Sequence, residues 1–255
     1  MSVKIREVIS ALERFAPLPL QEDYDNAGLQ MGLTETEVSG ALLCLDVTEE
    51  VVREAIELDC NLIISHHPVL FHGLKQITDA TQPERVARLA LQNDIAIYSA
   101  HTNLDKADGG VNYRMSDKLG LIDVVPLGDC GVMGYLPAAM DSQQFLEHVK
   151  TVFRCDCVMH NELLDRTVQS VALCGGAGDF LLDEALKEEA DAFLTGEMHY
   201  HRYFGTEQKI QIAVLGHYES EQYTVEIFND LLSEAFPNMA IYMTETNTNP
   251  IQYLY

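Results

Sequence analysis

Seven short apolar runs separated by amphipathic stretches restrict this chain to folds in which strands and helices alternate. They are GALLCLD (40–46), NLIIS (61–65), DIAIYSA (94–100), SVALCG (170–175), DAFLTG (191–196), IQIAVLG (210–216) and AIYMTE (240–245). Ahead of them, Val3, Ile5, Val8, Ile9, Leu12 and Phe15 recur at helical spacing, and Pro17 ends that helix. The next stretch, QEDYDNAGLQMG, reads as a polar loop. Thr48-Glu49-Glu50 predicts an N-cap followed by first-turn acids, and Thr81-Gln-Pro-Glu84 a capping box with proline in the first turn.

The pattern also repeats. Laid over one another, ALLCLDVTEEVVREAIELDCNLIISHH and VALCGGAGDFLLDEALKEEADAFLTGE match without a gap, 130 positions apart from Cys44 to Cys174 and from Ser65 to Thr195. A second block places His101 on His217 and Asp105 on Glu221, both 116 apart. The expectation is an α/β fold of two similar domains arisen by internal duplication, each ending in a polar His-x₃-acid segment at the C-terminal end of a strand. The units are expected at 1–127 and 128–255, the boundary approximate and the C-terminal strand open to packing on the first unit. Residues 128–165 read as a connector with its own strands and a helix opening near Asp141-Ser142.

Open α/β sheets bind ligands beyond the carboxyl ends of their strands. His66-His67 directly follows NLIIS, His101 follows IAIYSA, His217 follows IQIAVLG and Glu197 follows DAFLTG. Adjacent residues in an extended chain point to opposite sides, and Pro68 keeps His67 extended, so the two rings are expected to diverge and serve two different metals. His101-Thr-Asn-Leu-Asp105 and His217-Tyr-Glu-Ser-Glu221 each offer imidazole and carboxylate four apart. Ser220 or Glu221 reads as the start of a helix running to residue 236, whose first turn favours an acid. His101 has three readings: a ligand, a group that orients a ligand, or a proton-transfer group. Glu197 and His201, with His199 in GEMHYH, are candidates for supporting the ligands or touching substrate, and His201 is a second candidate for moving a proton. GGAG at 175–178 is a weak phosphate-cradle signal.

Imidazole-rich mixed ligation suits Zn, Fe, Mn, Ni or Co and disfavours Ca and pure Mg. The chain carries 16 Lys+Arg against 40 Asp+Glu, a formal charge of −24, which repels phosphate backbones and argues against nucleic-acid binding. No run of about 18 apolar residues occurs, so no membrane span is expected. Of six cysteines, Cys44, Cys60 and Cys174 lie in or beside apolar runs as small hydrophobes, and Cys155-Asp-Cys157 lacks a second pair to complete a tetrahedral set. Reduced thiols and a charged N-terminus without a secretory pattern point to the cytoplasm.

With these residues in hand, the chain resembles the Nif-three-like dinuclear metal centre proteins, also labelled GTP cyclohydrolase type-two homologues. The matching pieces are YDNAGLQMG (24–32), LIISHHPVLF (62–71), YSAHTNLD (98–105), ALCGGAGDF (172–180), FLTGEMHYH (193–201) and LGHYESE (215–221), in that order along almost the whole chain. The resemblance implies two similar α/β domains that can interlock with a metal site between them at strand C-terminal ends, two divalent ions held there by His66, His67, Asp105, His217 and Glu221, with Glu221 bridging, and a homohexameric ring. The chain is too short for the middle domain that some members insert. The activity it implies is a metal-dependent hydrolase acting on a nucleotide or related small molecule; the alternative is a non-catalytic metal-binding or protein-interaction ring.

Overall fold

The computed structural model describes residues 2–254. In chain order its elements are α1 (Ile5–Phe15), β1 (Gly28–Met31), β2 (Ala41–Cys44), α2 (Glu49–Glu57), β3 (Leu62–Ser65), α3 (Gln82–Gln92), β4 (Ala96–Ser99), the one-turn α4 (Thr102–Asp105), α5 (Val111–Leu119), β5 (Ile122–Leu127), β6 (Gly131–Met140), α6 (Ser142–Val152), β7 (Met159–His160), β8 (Val168–Cys174), α7 (Leu182–Lys187), β9 (Ala192–Thr195), β10 (Gln211–Val214), α8 (His217–Glu221), α9 (Thr224–Ala235) and β11 (Ile241–Met243). They form two compact units. One runs to Asp108 and takes in Thr224–Pro250; the other is Gly109–Tyr223 with the residues from Ile251 on.

The first unit holds a five-stranded sheet, β1-β4-β3-β2-β11, in which only β1 is antiparallel to its neighbour. Every residue of β2, β3 and β4 is buried, as expected of parallel strands covered on both faces. Leu42, Cys44, Ile63 and Ile97 face Val51, Val52 and Ala55 of α2 and Val86 and Ala90 of α3. The alternate residues turn to the other face, where α9 lies on β2 and α1 on α9. Register aligns the strand ends, with Cys44 beside Ser65 and Ser65 beside Ser99. Whatever follows these strands therefore emerges along one edge.

The second unit holds a six-stranded sheet, β5-β6-β8-β9-β10-β7, whose parallel centre is β8, β9 and β10. One face packs Val171, Leu173 and Leu194 against Met115 of α5 and Phe145 and Val149 of α6. The other packs Ala172, Phe193 and Ile212 against Leu182 and Ala185 of α7. Cys174 lies beside Thr195 and Thr195 beside Val214, again aligning the carboxyl ends.

The same turn joins helix to strand in both units. Leu58 N donates to Glu54 O (3.0 Å) and Cys60 N to Ala55 O (2.8 Å), while 130 positions on Glu188 N donates to Glu184 O (2.9 Å) and Ala190 N to Ala185 O (3.0 Å). Asp59 and Glu189, also 130 apart, both take the left-handed conformation, at φ 55° and 54°. The third strands differ by one residue. Ser99 and Val214 hold matching register positions, yet two residues follow Ser99 up to His101 and three follow Val214 up to His217. The extra residue is Gly216, at φ 110°, where a side chain would be strained.

Three local expectations are corrected. The polar stretch at 21–32 contains strand β1, an edge strand whose pairing with β4 a polar sequence does not announce. The single helix expected from Ser220 is two: α8 opens at His217 and closes at Glu221, and α9 begins at Thr224. Between them Gln222 donates to Phe153 O (2.9 Å) and the Tyr223 hydroxyl to Val152 O (2.8 Å). Thr81 does cap α3 by position, but its side chain makes no capping bond, and Glu84 instead accepts from the Thr78 backbone N (3.0 Å) and hydroxyl. The helix at Asp141 forms as expected, its carboxylate accepting from Gln144 N at 2.8 Å.

Asp191, entering β9, ties the second sheet together. Its carboxylate accepts from Gln169 N (3.0 Å), Ser170 N (2.9 Å) and the Arg166 guanidinium. Burial pushes its pKa up, but these donors outweigh burial and hold it below the usual carboxylate range. Asp191→Ala is expected to cost about 1–3 kcal/mol at neutral pH by leaving those donors unmet. A depressed folded pKa stabilises above the unfolded value of about 3.9 and stops doing so as pH falls through the folded one. The urea midpoints of wild type and variant should therefore converge on acidification below about pH 4. Equal midpoints at pH 7 would refute the role.

Candidate metal centre

In the first unit the β3 end delivers His66 and His67, and the β4 end delivers His101, which caps α4. His66 and His67 ring centroids lie 4.8 Å apart, and each lies 5.3 Å from His101. What diverges is their anchoring. His66 Nδ1 donates to Ala100 O at 2.8 Å, toward β4, and His67 Nδ1 to Asp46 Oδ1 at 2.7 Å, beyond β2 on the other side. His101 Nδ1 donates to Asp25 Oδ1 at 2.7 Å. One nitrogen from each ring falls within 4.8 Å of the others. The single turn of α4 brings Asp105 back, with Oδ1 3.6 Å from His66 Nε2.

The second unit repeats the device. After β10, Gly216 turns the chain into α8, whose single turn sets His217 Nε2 3.2 Å from Glu221 Oε2. His217 Nδ1 donates to Glu197 Oε1 at 2.9 Å, and Glu197 comes from the β9 end. Glu221 is only 4% exposed and lies against the turn after β8. A Cβ on Gly176, itself at φ 54°, would sit 2.3 Å from Glu221 Oε1, so this position needs glycine. Glu221 therefore closes its helix rather than opening it, and its placement owes nothing to a first-turn dipole.

Carbonyl and carboxylate oxygens only accept, so each Nδ1 carries a proton and each neutral ring keeps its lone pair on Nε2. That nitrogen faces a carboxylate oxygen, another acceptor, at both His66 and His217. A cation reconciles two facing acceptors; so would a second proton on the ring. Positive charge on all three clustered rings would be mutually repulsive, whereas one cation can be shared among them. The donor set thus fits borderline divalent ions, which take imidazole and carboxylate together. Tying the distal ring nitrogen to an oxygen is also how metal-binding histidines are commonly oriented.

The remaining candidates separate. Glu197 orients His217. His201 stands exposed on the turn Tyr200–Tyr203, its ring 5.2 Å from Tyr200 and 6.1 Å from Phe204. His199 donates to Asp179 Oδ2 at 2.6 Å. Two anchoring acids escaped the sequence reading. Asp46 was findable, since it ends the run GALLCLD as the histidines end theirs. Asp25 lies in a polar loop, inside the matching piece YDNAGLQMG, but not at the end of an apolar run. Burial raises the pKa of both, but hydrogen bonds from His101 and Thr102 to Asp25, and from His67 and Thr248 to Asp46, outweigh it and keep them ionised below the ordinary range. Among the described residues no helix is long and apolar enough to cross a membrane.

Fold and site together define an α/β protein with groups able to hold a metal ion at the carboxyl edges of its parallel strands. The family model Duf34/NIF3 (NGG1p interacting factor 3) matches residues 3–250, and the chain belongs to that family. It is 32% identical to a Clostridium acetobutylicum protein named GTP cyclohydrolase 1 type 2 homolog, over 99% of this chain and 100% of the relative. It is 33% identical to NIF3-like protein 1 of Drosophila melanogaster, over 97% and 88%. A crystal structure of a Bacillus cereus protein related to NIF3 superposes with a TM-score of 0.90 at 25% identity, over the whole of both chains. A Staphylococcus aureus hypothetical protein shares the fold with a TM-score of 0.93 at 24% identity, also over both whole chains.

Proposed function

We propose that the chain holds two divalent ions on His66, His67, Asp105, His217 and Glu221, and that it is a metal-dependent hydrolase of a nucleotide or related small molecule. One observation carries the reading: every histidine in the set has Nδ1 bound to an oxygen, and in both units an Nε2 faces a carboxylate. A divalent pair supplies Lewis acidity, polarising a carbonyl or phosphoryl oxygen and acidifying water. The chain's own groups do the rest. Asp25 fixes the His101 ring through Nδ1, so His101 takes or returns a proton at Nε2. Glu197 holds the His217 ring. His201, exposed beside Tyr200 and Phe204, is the second candidate for moving a proton and touching substrate. The name of the clostridial relative supports a GTP-like substrate.

The alternative, a non-catalytic metal-binding or protein-interaction ring, draws on the family description of an interacting factor. Assembly as a cytoplasmic homohexamer is common to both readings, and light scattering on purified protein tests it. The deciding experiment is a screen of nucleotides and phosphoesters with protein assayed as purified and after chelation. Turnover that disappears on chelation and returns with metal supports the hydrolase. Two bound ions with no turnover of any compound would leave the binding reading.

A further inference from the structure

Two carboxylates anchor imidazoles in the first unit, and they are held differently. Asp25 is secured locally: its second oxygen accepts from the Thr102 backbone N at 3.0 Å, next to His101 itself. Asp46 has no such neighbour. Its second oxygen accepts from the Thr248 hydroxyl at 2.8 Å, across 202 positions of sequence. We propose that Thr248 is a positioning residue for His67, acting through Asp46, and that residues 244–248 form a strap that sets this geometry. The inference rests on the metal-site reading above.

The strap is built in steps from β11. That strand runs parallel to β2, Met243 beside Leu43, so it ends alongside the strand that delivers Asp46. Thr244 N extends the ladder to Leu43 O at 2.9 Å. Glu54, on α2, then gathers the next residues. Its carboxylate accepts from the Thr244 hydroxyl, from Glu245 N at 2.8 Å and from the Thr246 hydroxyl at 2.8 Å. Thr246 N closes back on Thr244 Oγ1 at 3.1 Å. Five hydrogen bonds thus hold the three residues 244–246. Glu54 thereby holds the Glu245 backbone and both threonine hydroxyls.

The consequence follows from the aspartate side chain. Its terminal torsion is soft, so a carboxylate bound through one oxygen can still turn. With Oδ1 on His67 and Oδ2 on Thr248, the plane of the carboxylate is set from both ends, and so is the ring it holds. Threonine supplies one hydroxyl donor, serine supplies the same donor, and valine keeps the shape without it.

The test uses full-length protein in two measurements. Nitrogen NMR of the histidine side chains, in metal-free protein, reads which His67 nitrogen carries the proton. Competition titration with Zn²⁺ reads affinity. Wild type should show the Nδ1–H tautomer. Thr248→Val should give mixed tautomers at His67, with His66 and His101 unchanged, and should weaken one Zn²⁺ by about 10–100-fold, the usual cost of losing an outer partner. Thr248→Ser should restore both readings, and unchanged backbone spectra identify a folded variant. If Thr248→Val keeps both the wild-type tautomer and the wild-type Zn²⁺ affinity, the inference is overturned. If wild type binds no Zn²⁺ while Thr248→Val still mixes the His67 tautomers, the metal reading fails and the positioning role stands.

Discussion

His66→Ala is expected to strip the chain of at least one of about two divalent ions, with His67→Ala and His217→Ala behaving alike. His66 is fully buried at the end of β3, and its Nδ1 is committed to Ala100 O, so Nε2 is its one coordinating atom. Removing an outer partner commonly costs 10–100-fold in affinity, and removing a ligand atom should cost more. Elemental analysis of protein purified without chelator measures the content directly. Stability should follow it, because a ligand present at about 100 times its Kd adds about 2.7 kcal/mol to folding. Chelation should accordingly lower the melting temperature of wild type and leave a variant that has lost both ions nearly unmoved. Wild-type protein that holds no transition metal even after reconstitution would end the metal reading, and the hydrolase proposal with it.

The second large effect separates the two carboxylates. Glu221→Gln is expected to weaken both ions together, whereas Asp105→Asn should mainly empty one. Glu221 has one methylene more than Asp105 and is almost wholly buried, wedged against Gly176 with its other oxygen toward His217. A carboxylate can place one oxygen on each of two cations, and its charge offsets their mutual repulsion. The amide keeps the shape and loses the charge. Paired metal titrations of the two variants decide the matter: near wild-type binding of two ions by Glu221→Gln would exclude the bridge. Support for the assignment lies in the burial of Glu221, since the helix expected to begin there closes there instead.

The turns at Asp59 and Glu189 match in conformation and hydrogen bonding, a turn that Asp94 and Arg154 also take at the ends of α3 and α6. In both units a one-turn helix follows the third parallel strand; it returns Glu221 to His217, its i, i+4 partner, but sets Asp105 against His66 rather than against His101. The single extra residue, Gly216, that follows the third strand of the second unit is not visible, because only strand register reveals it.

What the sequence determined by itself was local. Apolar runs specify buried strands, and a polar residue directly after such a run must emerge at the sheet edge, so His66, His67, His101 and His217 could be placed before any coordinates. Tertiary structure alone decided how those rings are aimed. His101 takes its orientation from Asp25, 76 positions away, and His67 from Asp46, which is held in turn by Thr248, 202 positions on. A hydrogen bond needs its partners within about 3 Å, and nothing in a linear chain states which distant residues folding will bring that close.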